Sequence, residues 1–202
     1  MRLHLLLAGA ACLASAIVIG PLPEDRAAMG RLQRLAGPLG SVAASTQWMR
    51  FTLATRSGDG ERALGIGRSA LGMDPLAPDG WQLLAHHLVF ERGSDAESAG
   101  RRGRRAWIEA GLDLLEQGAN ASREPGVLLY DLGLVAMYLG TVPPAERPWE
   151  GCQPQLVARA VTAFEGAHEA GHRAAQRALG DALETAAALE IAADGRGPKE
   201  SR

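Results

Sequence analysis

The chain has 202 residues, 47% of them apolar and 4% aromatic, with a formal net charge of −2, a balance that argues against a general affinity for nucleic acid. This length suits one compact domain with an appendage. Only Cys12 and Cys152 are cysteines, one in an apolar N-terminal run and one in a predicted loop, which excludes a cysteine metal site and makes an internal disulfide improbable.

Residues 3–20, LHLLLAGAACLASAIVIG, carry no formal charge and at ~1.5 Å per residue are just long enough to cross a bilayer. Ala14-Ser15-Ala16 also fits a signal-peptidase site, but Ile17, Val18 and Ile19 continue the apolar run, which favours an uncleaved anchor. Gly9-Ala10-Ala11-Cys12 is a poor lipoprotein box, with Gly where Leu is usual. Arg26, Arg31 and Arg34 follow the segment and only Arg2 precedes it, yet long domains translocate largely regardless of such charges, so the expectation is a periplasmic domain. The expected organisation is an anchor or signal peptide over 1–22, a juxtamembrane helix and linker over 23–38, a helical domain over 39–193 and a disordered tail over 194–202.

Glu24–Ala36 has helical composition, with acids leading and arginines behind, and Gly37-Pro38 ends it. A helix over 39–57 follows, then Gly58-Asp59-Gly60 as a tight turn. The next helix carries Ala63, Gly67, Ala70 and Leu71 in one stripe. Pro75 and Pro78 stop it. A further helix carries Trp81, Leu84, Ala85 and Leu88, with Asp79 placed to cap its first turn. Residues 91–105, rich in Gly, Ser and Arg, are expected as a solvated loop, the alternative being a surface for an anionic partner. Ala106–Gly118, Pro125–Gly140, Gln155–Ala170 and His172–Ala193 read as helices, with a proline-rich loop over 141–155 in which Trp149 covers an apolar patch. Asn120-Ala121-Ser122 satisfies a glycosylation sequon that nothing else in the chain supports.

The junction from Ala63 to Leu88 resembles that between two tetratricopeptide repeats. Leu129, Leu132, Gly133 and Ala136 repeat the spacing of Trp81, Leu84, Ala85 and Leu88, as do Trp48, Phe51, Thr52 and Thr55; Ala160, Phe164 and Ala167 repeat that of Ala63, Gly67 and Ala70, and Ala106 and Ala110 match its first two positions. The resemblance implies an all-α fold: a short solenoid of about three antiparallel helix pairs with a C-terminal capping helix, preceded by one transmembrane helix. It further implies a concave surface formed by the first helices, with Asp79, Gln82, His86, Tyr130, Leu134 and Met137 facing the groove. His87 is then expected at the rim.

His168-Glu169-Ala170-Gly171-His172 matches the H-E-x-x-H pattern of zinc metallopeptidases, with Glu190 downstream as a third ligand, and makes a zinc-dependent membrane peptidase the rival reading. Gly171, the polar Arg173 and the lack of a convincing strand favour instead a helix junction, in a pattern that resembles tetratricopeptide and Sel1-like repeats. The sequence therefore points to a membrane-anchored adaptor that binds other proteins of a bacterial inner-membrane complex, with no catalytic residue, cofactor, metal, nucleic-acid partner or small-molecule substrate expected. A purely structural subunit, making contacts through 91–105 and 140–154, is a third reading.

Overall fold

The computed structural model describes residues 38–94 and 96–193. The expected anchor over 3–20, the segment 24–36 and the tail 194–202 lie outside them. Among the described residues there is no strand, as expected, and no helix is long and apolar enough to cross a membrane. Seven α-helices follow in order: α1 Pro38–Arg56, α2 Gly60–Met73, α3 Pro78–His86, α4 Ala96–Ala121, α5 Pro125–Thr141, α6 Cys152–Glu169 and α7 Ala175–Ala193; a π-helical turn, His87–Arg92, continues α3. The chain divides into two compact units, one ending at Gly80 and the other beginning at Trp81.

In the first unit α1 packs against α2. Ala44, Phe51 and Ala54 of α1 and Ala63, Leu64, Ala70 and Leu71 of α2 are buried, so the small-residue stripe does bring the helices together. Full burial of one large apolar side chain such as Phe51 is worth about 2–3 kcal/mol. The turn between them is set by glycine. Gly58 has φ +75°, its N–H reaches the Thr55 carbonyl at 3.0 Å and the Asp59 N–H reaches the Ala54 carbonyl at 3.0 Å, the paired bonds of a Schellman cap. Asp59 then starts α2 by accepting a 3.1 Å hydrogen bond from the Arg62 backbone N–H.

In the second unit, consecutive elements pack: the π-helical turn on α4, α4 on α5, α5 on α6 and α6 on α7. Leu84, Ile108, Leu112, Leu115, Leu128, Val157 and Phe164 form the core. Two rings sit against glycines of neighbouring helices. A Cβ on Gly118 would come within 2.6 Å of the Trp81 ring, and one on Gly133 would meet the Phe164 ring. Arg159 of α6 ties to α4 through Asp113 at 2.7 Å and Glu116 at 3.1 Å.

Three expectations need correction. The segment 91–105 is not a loop, because α4 begins at Ala96 and only residues 93–95 separate it from the π-helical turn. Within α4, Ala106 and Ala110 are exposed. The buried stripe is Gly111, Leu115, Gly118 and Ala119, which repeats the spacing of Ala63, Gly67, Ala70 and Leu71 five residues later than expected. The proline-rich loop shortens to residues 142–151, since α6 starts at Cys152. There Trp149 is half-buried, with the Arg105 guanidinium 5.1 Å from its ring centre.

Candidate binding face

α3 turns its Trp81, Leu84 and Ala85 side into the core and leaves Leu83 and His86 on the other side. The π-helical turn then adds a residue to the spiral: the Gly93 N–H bonds to the Leu88 carbonyl, five residues back, at 2.9 Å. His87, Leu88 and Val89 are consequently all buried, and Phe90 emerges 39% exposed. The expectation for His87 fails here. Its side chain is 3% exposed and its Nδ1 lies 2.9 Å from Glu91 Oε2, one turn on.

His86 instead reaches across to α5. Its Nε2 lies 2.9 Å from Asp131 Oδ2, with no other polar partner for either atom, and the two side chains are 42% and 13% exposed. The separation is that of a hydrogen bond even though the approach is oblique. This bond to Asp131 raises the imidazole pKa above its ordinary 6.5, burial pulls it down, and attraction to the carboxylate adds to the rise.

Several outward side chains on the same elements are apolar. Leu83 is 42% exposed, Leu134 44% and Tyr138 57%. The rings form a ladder, His86 to Phe90 at 5.7 Å and Phe90 to Tyr138 at 6.0 Å, both edge to face. Beside Phe90 and Tyr138 opens a cavity of about 430 Å³ floored by Ile108 and Leu139, with Arg104 and Glu146 in its wall. Arg104 Nη2 donates to the Glu146 carbonyl at 3.3 Å, which joins α4 to the loop before α6.

The six residues expected in the groove separate into groups. His86 and Leu134 belong to this face, and Gln82 lies half-exposed on α3. Tyr130 turns towards α6, its ring 5.7 Å from Phe164 and stacked on His172 at 4.2 Å. Met137 is half-buried on α5, and Asp79 is exposed in the first turn of α3, within the first unit. Sequence reasoning missed Asp131, Phe90 and Tyr138. Part of their signal was present: Asp131, Leu134 and Tyr138 share one helical side, whereas Phe90 lies within the π-helical turn, where the helical period breaks.

The H-E-x-x-H stretch is a helix end. α6 stops at Glu169, Gly171 has φ +83°, and the Gly171 and His172 N–H groups bond to the His168 and Ala167 carbonyls, both at 2.9 Å. His168 and His172 are therefore not one turn apart on a continuous helix, the geometry that a zinc pair requires. Glu190 is exposed on α7, and among the described residues no three His, Cys, Asp or Glu side chains gather closely enough to hold a metal ion. No protein-family model, curated protein or solved structure matches the chain.

Proposed function

We propose that the chain is a membrane-anchored helical adaptor, similar to tetratricopeptide and Sel1-like repeat proteins, that binds segments of other proteins in a bacterial inner-membrane complex. Residues 3–20 are its anchor in this reading, and the domain from residue 39 lies on the periplasmic side. The observation that supports binding is the exposure of Leu83, Phe90, Leu134 and Tyr138 on the elements that carry the His86–Asp131 pair, beside a cavity of about 430 Å³. Scattered exposed apolar residues need no explanation, but an exposed aromatic pair such as Phe90 and Tyr138 beside a cavity for an anchor side chain is the form of a protein-binding site. The polar pair joins α3 to α5 and offers a hydrogen-bonding point beside apolar side chains.

The test places a photo-crosslinking residue at position 134 of the full chain in its native membranes. The expected result is a small set of discrete adducts, lost when Phe90→Asp is added. They should be missing from the same probe at the exposed α6 position Glu165. Equal adducts at 134 and 165, or adducts indifferent to Phe90→Asp, would remove the support for this face.

A further inference from the structure

α1 faces two ways. Its Phe51 side is buried in the first unit, whereas Val42, Met49 and Leu53, at i, i+7 and i+11, stand 64%, 63% and 64% exposed in one outward stripe. From Val42 to Leu53 the stripe runs ~16 Å along the helix.

Two features of the same helix say what covers it. The first is charge. Arg50 and Arg56 are exposed beside the stripe, and residues 38–58 contain no Asp or Glu, so α1 itself carries only positive charge. A second copy would set one cationic face against another, whereas an anionic surface neutralises both arginines. The second feature is the state of the hydroxyls. Ser45 Oγ donates to the Ser41 carbonyl at 2.9 Å, Thr46 Oγ1 to the Val42 carbonyl at 3.2 Å and Thr52 Oγ1 to the Trp48 carbonyl at 3.0 Å. All three residues are exposed, yet each uses its hydroxyl donor inside the helix. Water would satisfy an outward hydroxyl without such a bond; a boundary poor in water would not.

The chain before α1 keeps such a boundary within reach. The uncharged run ends at Gly20, and residues 21–37 span at most about 60 Å when fully extended. We propose that α1 lies flat on an anionic phospholipid surface, with Val42, Met49 and Leu53 in the boundary between headgroups and acyl chains and Arg50 and Arg56 on the headgroup phosphates. This placement rests on the membrane-anchor reading and adds a second contact to it. An apolar stripe edged by arginines is the composition of a helix that lies in the interface plane rather than crossing it. The first unit is then held against the bilayer by α1, with the buried Phe51 side and α2 turned away from the lipid.

The test uses the full chain with Cys12→Ser and Cys152→Ala as background, in nanodiscs of equal parts phosphatidylcholine and phosphatidylglycerol. A nitroxide is placed on Met49→Cys or, as the control in the same unit, on Gly65→Cys, an exposed α2 position with open space around an added Cβ. Relaxation by oxygen, which concentrates in lipid, is compared with relaxation by a neutral, water-soluble nickel chelate. The label at 49 should be several-fold less open to the chelate than the label at 65 and should favour oxygen. Discs of phosphatidylcholine alone, or the pair Arg50→Gln, Arg56→Gln with unchanged circular dichroism, should each raise chelate access at 49 several-fold. Equal chelate access at 49 and 65 would overturn the placement, as would protection that neither change reduces. Dipolar broadening between labels at 49 would overturn it in favour of a second copy. A chain that stays out of the discs would overturn the anchor and this placement together; a chain held in the discs with position 49 open to the chelate would overturn the placement alone.

Discussion

Two histidine sites of the second unit, His168–His172 and His86–Asp131, behave oppositely. In His168–His172 the residue types stand in one short stretch at the spacing of a known metal motif, yet the backbone turns at Gly171 and separates them. His86 and Asp131 are 45 positions apart, match no motif, and lie 2.9 Å from each other. Local spacing implies chemistry only if the backbone keeps its period through the motif; packing creates proximity that no spacing announces. The glycine turn and the helix-to-helix pair can each be disturbed separately.

The largest expected effect is at the packed pair. Asp131→Ala removes a mostly buried carboxylate and leaves His86 without its partner, which should cost about 2 kcal/mol at pH 5.5, in the range for hydrogen bonds to charged groups after allowance for the exposed imidazole. Because His86 has a raised pKa in the folded state, its contribution is fully present below about pH 6.5 and is lost as pH rises through the folded value. Urea unfolding of wild type and variant should therefore show a gap that is widest at pH 5.5 and narrows by pH 9. A gap that stays constant with pH would mean that the pair is not ionised as described.

The glycine turn comes second. Gly171→Ala places a side chain at φ +83°, and the left-handed conformation should cost about 1 kcal/mol with no dependence on the His86 titration. Space is not at issue, since nothing lies within 4 Å of an added Cβ. If the variant were instead stabilised and α6 lengthened, the turn would be a weak preference and the H-E-x-x-H stretch would regain its helical geometry.

The helical class, most helix ends and the buried stripes of α2, α3, α5 and α6 were legible because each rests on a 3.6-residue period interrupted by Gly or Pro. Gly58 and Gly171 are the clearest case, since both close a Schellman cap and both were readable as turns. The start of α4 was not legible. Its glycines and arginines read as a loop, and the run is helical because α4 continues without a break into the stripe from Ile108 that packs on the π-helical turn. The burial of His87 was hidden for a related reason: a π-helical turn has no sequence signature and shifts every later residue around the axis. Asp131 escaped because an acid on an apolar helix reads as solvent-facing until its partner on another helix is known.

The smallest effects are expected at the two histidines of the turn, and their order follows from their surroundings. His172 stacks on Tyr130 with ring centres 4.2 Å apart and planes 22° from parallel, so His172→Ala should cost about 0.5–1 kcal/mol. His168 is exposed at the last turn of α6, and His168→Ala should stay within about 0.5 kcal/mol. Neither change should depend on zinc. Differential scanning fluorimetry of untagged protein with and without zinc checks this, because a ligand that binds only the folded chain raises its melting temperature. A zinc-dependent rise lost in either variant would require α6 to rewind through Gly171, with His172 leaving Tyr130. The two histidine sites would then differ in occupancy rather than in kind.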